Sequence, residues 1–519
     1  MIREYLLKKL DNKKDILKFT IISSIILFWL SHGFRFFNLC FTHDGLSIVE
    51  HDINWQVSIG RYLQPVLYII RGDLSAPWLF NLISMFWMAL SVYYLVDMFE
   101  IVRPVSILAI SSIMICNNII TLSNATYMQW MDIYSLCLFL SVYSIWLIRK
   151  DHKKSYLAII LLFISMGLYQ SYICVAIGLV MIMMMLELHD DKKSVKEIIR
   201  DGVCRALVIL ISAILFYVVW KIVLKISGIE ALSHYGSDSG ISDYVSSEMK
   251  YALYRTYKNV AIYLRRPYLF CTSLPAAEKI TEYIVFFVNL LILAYIGLSC
   301  LIKNVIRNKK PVRFIWQMII YALLPMGINF VCILTLGSEH DLMMYGVCII
   351  FILPLLLLEK SSDAESRFVR IRPVFIGYIF LLAWMNVVFS NQVYLEKALL
   401  DESANSLVTR LVEDIESVDG YEVGVTPVAF MGCYDDSDYH DDIEGFETLK
   451  GTGLMTSAFS TSRTFGYYIH YVLNNNMYII NLTPEPDELS EMTCYPTEGS
   501  VKMIDGVVVV KFSNTPTNY

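Results

Sequence analysis

Long apolar runs separated by short polar segments occupy the first 390 residues of the chain. A helix needs roughly 20 apolar residues to cross a hydrocarbon core of about 30 Å. The pattern predicts spans near 16–35, 77–96, 104–122, 127–148, 156–170, 172–188, 203–225, 282–302, 314–336, 342–358 and 372–390. We therefore expect a mainly α, polytopic transmembrane helical protein with about 11 spans.

The stretch 156–188 is predicted to form two short spans. As a single helix it would be about 50 Å long at a rise of about 1.5 Å per residue, which is too long for a simple crossing. Lys153 and Lys154 precede the stretch, and Lys192, Lys193 and Lys196 follow it. The positive-inside rule places both flanks in the cytoplasm, so the chain must leave and return, with a break near Gly167–Ser171.

With this break, almost every basic cluster falls on the cytoplasmic side. The predicted inner segments carry Lys8, Lys9, Lys13, Lys14, Arg149, Lys150, Arg307, Lys309, Lys310, Arg313, Arg367, Arg370 and Arg372. The exception is the loop 226–281, and long loops follow the charge rule less strictly. The N-terminus is then cytoplasmic, whereas the loops 36–77 and 226–281 and the C-terminal tail are outside.

Composition agrees with a membrane protein. The chain is 56% hydrophobic and 17% charged, with a mean hydropathy of +0.53, so it has more apolar surface than one soluble core needs. The net charge is −6, and the basic residues are scattered near span ends, so no nucleic-acid partner is expected. No small-residue cleavage site follows the first span, which is therefore expected to stay as a membrane helix.

Residues 391–519 differ in kind from the transmembrane domain at 1–390. They are polar and acidic, and a helical pattern, EKALLDESANSLVTRLVEDIE, leads into alternating segments such as MYIINLT and DGVVVVKF. This pattern predicts a small extracytoplasmic α/β domain. Cys433 and Cys494 lie in it, where an oxidising compartment permits a disulfide; the other nine cysteines are expected to pack as small hydrophobes in or beside spans.

The first outer loop combines charged residues with aromatic and aliphatic ones. If 46–61 is helical, Leu46, Val49, Ile53 and Val57 form an apolar stripe, and the helix would lie on the bilayer surface. Asp44 precedes this helix in the turn Thr42-His43-Asp44-Gly45. Two roles are open on spacing alone: a helix N-cap, which is the commoner one, or a carboxylate directed toward a substrate.

Familiar cofactor motifs are missing from the chain. It contains no CxxC, HExxH or P-loop pattern, so the sequence offers no support for bound zinc or a nucleotide-phosphate cradle. A divalent cation recruited by Asp44 stays possible, although no ligand cluster demands one.

The run HDGLSIVEHDINWQVSIGRYLQPVLYIIRG resembles the first outer loop of the Gtr-type bacterial glucosyltransferases, polytopic enzymes of the GT-C superfamily that use polyprenyl-phosphate sugars. Asp44 carries over directly, and His43 stands where many members have a second acid. Trp55, Gly60 and Arg61 match the later part of the motif. The similarity covers roughly residues 16–390.

The resemblance implies transfer of glucose from polyprenyl-phosphate-glucose to a cell-envelope polysaccharide or lipid-linked glycan, at the outer face of a bacterial plasma membrane. A carboxylate can take the proton of the acceptor hydroxyl as general base. Asp44 is the first choice, with Glu50 and Asp52 as alternatives. The departing phosphate gains negative charge, which arginine is suited to stabilise.

The candidates for binding the donor phosphate are Arg61, Arg71, Arg255 and Lys258. The alternative for Arg255, Lys258, Arg265 and Arg266 is contact with lipid headgroups alone, since they stand in an aromatic-basic stretch typical of a membrane interface. The candidates for the substrate pocket are His43, Trp55, Tyr169, Gln170, Glu339, His340 and Asp341.

Simpler alternatives accompany these assignments. Polar turns such as GSEHDLMMYG between spans are usually solvated loop, which is the alternative for Glu339, His340 and Asp341. Two other classes of function also stay open: a lipid or glycan transporter or flippase, and a non-catalytic receptor whose tail binds a ligand. A transporter usually has ionisable residues near the bilayer midplane and repeated halves, and neither is evident in this sequence.

Overall fold

The computed structural model describes most of the chain. The described residues are 10, 12–38, 53–72, 76–190, 192–232, 247–269, 280–360, 371–432, 434, 462–480 and 488–513.

Helices dominate residues 12–416. In chain order they are α1 Lys13–His32, α2 Phe34–Phe37, α3 Ile53–Ser58, α4 Gln64–Arg71, α5 Pro77–Phe99, α6 Pro104–Ile115, α7 Asn118–Thr126, α8 Met131–Lys150, α9 Ser155–Leu168, α10 Ile173–His189, α11 Val195–Ser227, α12 Ser247–Arg265, α13 Ile280–Leu301, α14 Pro311–Ile328, α15 Phe330–Leu334, α16 Ile352–Lys360 and α17 Arg372–Glu416. Short 3-10 helical segments adjoin them at Met128–Trp130, His152–Lys154, Gln170–Tyr172 and Asp341–Phe351. A π-helical turn follows α13 at Ile302–Arg307.

Within the described residues, nine helices are long and apolar enough to cross a membrane, or ten with the pair α6 and α7, which bends by 41°. The fold is therefore the expected polytopic α-helical one. The remaining predicted span corresponds to α9, whose 14 residues would reach only about 21 Å.

The stretch 156–188 folds as two helices, as predicted. Helix α9 ends at Leu168, and Tyr169 adopts an extended backbone (φ −160°, ψ 111°). One short turn, Gln170–Tyr172, leads into α10. The break falls inside the predicted interval Gly167–Ser171.

Basic segments gather at one end of the bundle, called here the basic end. Asp97 pairs with Lys13 at 3.3 Å and with Lys150 at 3.2 Å. Arg103 pairs with Glu359 at 2.7 Å. These contacts join the start of α1 to the ends of α5 and α8, and the start of α6 to the end of α16. The predicted inner segments therefore share an end, while the side of the membrane that this end faces stays a prediction.

The opposite end, called the loop end, carries the described parts of the loop 36–77. There the indole Nε1 of Trp220, near the end of α11, donates to the Val57 carbonyl at 2.7 Å. His32 at the end of α1 bonds the Tyr394 hydroxyl at 2.7 Å through Nδ1. These bonds satisfy polar groups that the apolar surroundings would otherwise leave unpaired.

The C-terminal region is α/β, as expected. Its sheet contains β1 Pro427–Met431, β2 Tyr478–Ile480, β3 Val501–Ile504 and β4 Val507–Lys511. The spatial order is β2-β1-β4-β3; β1 is parallel to both β2 and β4, and β3 is antiparallel to β4. Among the described residues, two short helices accompany the sheet, α18 Ser462–Tyr467 and α19 Glu488–Glu491, and a π-helical turn, Tyr468–Val472, follows α18.

One continuous helix connects the membrane region to this sheet. Helix α17 has 45 residues, about 68 Å, and the predicted domain boundary at 390 lies within it. Its second half buries an apolar stripe that packs with the sheet. This second core includes Leu400, Leu407, Val408, Leu411, Ile415, Val428, Phe430, Phe465, Val508, Val510 and Phe512.

Candidate functional site

The loop 36–77, which is predicted to be an outer loop, is described at residues 36–38, 53–72 and 76–77. The predicted helix 46–61 is wrong at its C-terminal end, because α3 stops at Ser58 and Gly60 takes a left-handed backbone (φ +86°). That turn places Arg61 beyond the helix. His43, Asp44, Glu50 and Asp52 lie outside the described residues, so their predicted roles stay predictions.

Polar bonds tie the loop to the tip of the α9–α10 hairpin. The Gln170 amide Nε2 donates to the Ile59 carbonyl at 2.9 Å, and the Leu63 N–H donates to the Gly167 carbonyl at 3.0 Å. A Cβ on Gly167 would lie 2.8 Å from Leu63 Cδ1, so glycine permits this close approach. Tyr169 and Gln170, both predicted pocket residues, are therefore brought to the loop.

Arg61 lies at this junction and is only 9% exposed. Its guanidinium carbon is 4.7 Å from the centroid of the Tyr169 ring. Among the described residues no carboxylate pairs with it. A buried guanidinium without a counter-ion is costly, and an anionic ligand would compensate that cost.

Arg71, at the end of α4, has a protein counter-ion. Its Nη1 donates to Asp132 Oδ1, and its Nη2 donates to the Gln129 carbonyl at 2.8 Å. The guanidinium also lies 4.4 Å from the centroid of the Phe80 ring. The Arg71 and Asp132 side chains are each 9% exposed. The predicted phosphate-binding arginine is thus held in a fixed place at the loop end.

Asp132 was not among the sequence candidates. Its signal is a single carboxylate in the first turn of an otherwise apolar span, in YMQWMDIYSLCLF. Charged groups in such a place are rare and usually mark a function. Periodicity alone does not show that the partner is Arg71.

Tyr68 lies one turn before Arg71, and its hydroxyl donates to Gln64 Oε1 at 3.1 Å. Burial raises the pKa of Tyr68 to about 12, and the positive charges of Arg71 and Arg61 oppose that rise. Both guanidiniums therefore act on the same hydroxyl. Arg61 and Arg71 belong to one electrostatic environment.

Arg35 is a further buried cation that the sequence interpretation missed. Its Nε donates to the Asn124 carbonyl at 3.2 Å and its Nη1 to the Asn38 carbonyl at 2.7 Å. Asn81, the neighbour of Phe80 in α5, donates to the Arg35 carbonyl at 3.2 Å. The start of α5 therefore contacts both Arg35 and, through Phe80, Arg71.

A second polar group surrounds Glu339, whose side chain is fully buried. Its Oε1 accepts from Arg255 Nη2 at 3.0 Å and also from Asn259 Nδ2. Its Oε2 has no partner among the described residues. Arg255, a predicted phosphate-binding residue, is thus held by a predicted pocket residue.

The other candidates differ in exposure. Asp341 is buried and His340 is half-buried, so the turn 339–341 is not the solvated loop of the simpler alternative. Lys258 is exposed, with its Nζ 5.8 Å from the Tyr254 ring centroid. Trp55 is 36% exposed.

Aromatic rings connect the two polar groups. The Tyr169 and Tyr172 ring centroids are 6.0 Å apart, and those of Tyr172 and Tyr345 are 5.5 Å apart. Tyr345 belongs to the same 3-10 turn as Asp341. The polar residues around Arg61 and those around Glu339 therefore both lie at the loop end. Across the described part of the chain, no three His, Cys, Asp or Glu side chains form a metal-binding group.

A protein-family model described as Glucosyl transferase GtrII matches residues 33–358, which is more than half of the chain. The matched segment contains Arg61, Arg71, Asp132, Arg255 and Glu339, and it ends before α17 and the C-terminal sheet. No curated protein and no solved structure matches the chain.

Proposed function

The chain belongs to the GtrII glucosyl transferase family and is a membrane glycosyltransferase; from this premise we propose the donor, the acceptor and the residues that act. The proposed donor is polyprenyl-phosphate-glucose. The proposed acceptor is a cell-envelope polysaccharide or a lipid-linked glycan, at the outer face of a bacterial plasma membrane.

The observation that carries the proposal is Arg61. It is a buried guanidinium without a carboxylate partner among the described residues, and it belongs to the loop that resembles the family motif. A phosphate at this place would supply the missing negative charge, and an arginine fork can bind two of its oxygens. The charge that develops on the departing polyprenyl phosphate would strengthen that contact in the transition state.

Arg71 assists from a fixed position. Asp132 and the Gln129 carbonyl hold two of its nitrogens, so the guanidinium loses little conformational entropy when a ligand binds. Its charge also contributes to the field at Tyr68. We assign Asp132 as the positioning residue of Arg71.

Helix α4 offers a place for a lipid-linked donor. Its outward residues Val66, Ile69 and Ile70 are 49%, 85% and 75% exposed, whereas Tyr68 and Gln64 face inward. Such an amphipathic helix lies naturally at a bilayer surface. Because Arg71 ends this helix, a polyprenyl chain in the bilayer can run beside its apolar face while the phosphate meets the arginines.

In the proposed reaction, the acceptor hydroxyl oxygen forms a bond to the anomeric carbon of glucose. The bond from that carbon to the phosphate oxygen breaks, and polyprenyl phosphate leaves with the electron pair. Asp44 takes the hydroxyl proton as general base. Glu50 and Asp52 are the alternative bases.

The C-terminal α/β region is proposed to position the acceptor glycan. Helix α17 runs without interruption from the last span into the core of the sheet. A continuous helix transmits a defined orientation, which would hold a bound glycan at a fixed place relative to the membrane region.

The test is transfer of labelled glucose from synthetic polyprenyl-phosphate-glucose to isolated envelope glycan, with purified protein in lipid nanodiscs. Wild type should transfer, and Arg61→Ala should lose most of the activity while keeping its thermal unfolding midpoint. Arg200→Ala removes an exposed arginine near the start of α11, outside the proposed donor and acceptor sites, and serves as the charge-matched control. Transfer from a nucleotide sugar and none from the lipid donor would contradict the proposal.

A further inference from the structure

A cavity of about 370 Å³ lies at the basic end of the bundle. Arg61 and Tyr169 lie at the opposite end, the loop end. The ends of α5, α10 and α16 and the start of α6 form its walls, together with the turn Ile302–Arg307. Its size falls within the range of small-ligand sites, about 300–1,000 Å³. Nothing in the glucosyl transfer proposed above uses it.

The cations around this cavity are of two kinds. Arg103 and Lys192 are paired, with Glu359 at 2.7 Å and with Asp190 at 3.0 Å. Lys303 and Lys360 form no ion pair with any described residue. Glu100 is the remaining acid of the lining, so four cations face three carboxylates. Two lysines are therefore available to a ligand, and the lining carries more positive than negative charge.

His189 adds an unpartnered group to the same wall. Its side chain is 5% exposed, and its Nδ1 has no hydrogen-bond partner among the described residues. Lys303 and Asp190 are close enough to act electrostatically on the ring. A buried polar atom without a partner normally indicates an absent ligand or water, and a neutral imidazole can donate one N–H to an anion.

We infer that this cavity binds the phosphate of an anionic phospholipid headgroup, through Lys303, Lys360 and His189. The cavity opens at the end where the basic segments of the bundle gather, and lysine side chains there can reach the headgroup layer. Basic pockets between membrane helices suit phosphate-bearing headgroups. Inorganic phosphate shares the chemistry, and the test separates the two sources. The inference is independent of the proposed donor and acceptor.

The experiment measures binding to the purified full-length protein in detergent, by native mass spectrometry and by the shift of the thermal unfolding midpoint. The probes are short-chain phosphatidylglycerol, phosphatidylcholine of the same chain length, and inorganic phosphate. Wild type should bind phosphatidylglycerol in preference to phosphatidylcholine. Inorganic phosphate should bind at least tenfold more weakly, since it lacks the acyl chains.

The variant Lys303→Gln/Lys360→Gln should raise the half-saturating phosphatidylglycerol concentration by about tenfold or more. The matched control is Lys153→Gln/Lys154→Gln, which removes two exposed lysines at the same end, outside the cavity. It should bind as wild type does. Equal losses in both double variants would show a general surface charge effect and overturn the site.

His189→Gln provides a second variant should the double substitution unfold the protein. It keeps a hydrogen-bond donor but moves it, so binding should weaken by a fewfold with no change in charge. Wild-type binding in both His189→Gln and the lysine variant would overturn the inference. Saturation by inorganic phosphate without binding of phosphatidylglycerol would overturn the assignment to a lipid.

Discussion

The guanidinium of Arg61 lies 4.7 Å from the centroid of the Tyr169 ring. This contact joins the loop 36–77 to the tip of a hairpin more than a hundred residues later. Tyr169 is itself buried against Tyr134, with ring centroids 4.7 Å apart. The arginine is thus fixed by an aromatic wall, which leaves its polar edge for a ligand.

Loss of the Arg61 side chain should reduce the rate of transfer more than it reduces donor binding. Arg61→Ala is expected to lower kcat by about 100-fold or more, the usual effect of removing one donor that stabilises developing charge. Arg61→Lys should keep part of the activity, because the charge remains but the two-point geometry is lost. Steady-state kinetics with the lipid donor provide the measurement; an unchanged kcat with a raised KM would show that Arg61 binds the donor equally in the ground state and the transition state.

Asp132→Ala should destabilise the protein strongly. It leaves the buried Arg71 guanidinium without a counter-ion, a loss typically worth about 3–5 kcal/mol. The double variant Arg71→Met/Asp132→Leu should recover the thermal unfolding midpoint but not the transfer rate, because the cation is gone.

Asp190→Ala is the control for that pair. It breaks the exposed contact with Lys192, which should change the midpoint little. Full transfer by the Arg71→Met/Asp132→Leu variant would show that the pair is structural and that Arg71 has no contact with the donor.

Asp44→Asn should abolish transfer. A general base commonly contributes about 10²–10⁴ in rate, and asparagine cannot accept the proton. Glu50→Gln and Asp52→Asn should retain activity. Single-turnover transfer with preformed enzyme–donor complex provides the measurement. Retained transfer in Asp44→Asn together with loss in Glu50→Gln or Asp52→Asn would move the base to that position.

Gly60→Ala should lower activity through Gln170. The position has a left-handed backbone, and an added Cβ would lie 2.5 Å from Gln170 Nε2, so the bond to the Ile59 carbonyl would be displaced. Gly228→Ala has a comparable backbone (φ +68°) with open space around the Cβ, and it should cost about 1–2 kcal/mol of stability without loss of transfer. Equal transfer rates in the two variants would show that the Gln170 contact does not matter.

Val408→Asp should disrupt the C-terminal core and reduce transfer to polymeric glycan. Val408 is fully buried between α17 and the sheet, so a carboxylate there is strongly unfavourable. Transfer to a short soluble acceptor should fall less if the region positions the polymer. Val423→Asp, at an exposed position, is the control. Full activity of Val408→Asp on polymer, with limited proteolysis showing an unfolded tail, would contradict the role.

The sequence by itself determined the class of fold and much of its arrangement. Hydropathy identified the spans because a membrane crossing requires a long apolar run that is local in sequence. The charge of the flanks predicted the break near Gly167–Ser171, and alternation predicted the C-terminal sheet. The family motif identified Arg61 and Arg71 as candidates because it, too, is local in sequence.

Only the tertiary structure decided which charges meet. Arg71 pairs with Asp132 across 61 residues and Arg255 with Glu339 across 84, while Arg61 is left without a described carboxylate. Periodicity reports the face of one helix to which a residue belongs, but ion pairing depends on the rotation and depth at which separate helices pack. That packing is set by the whole core, so no single stretch of the chain determines it.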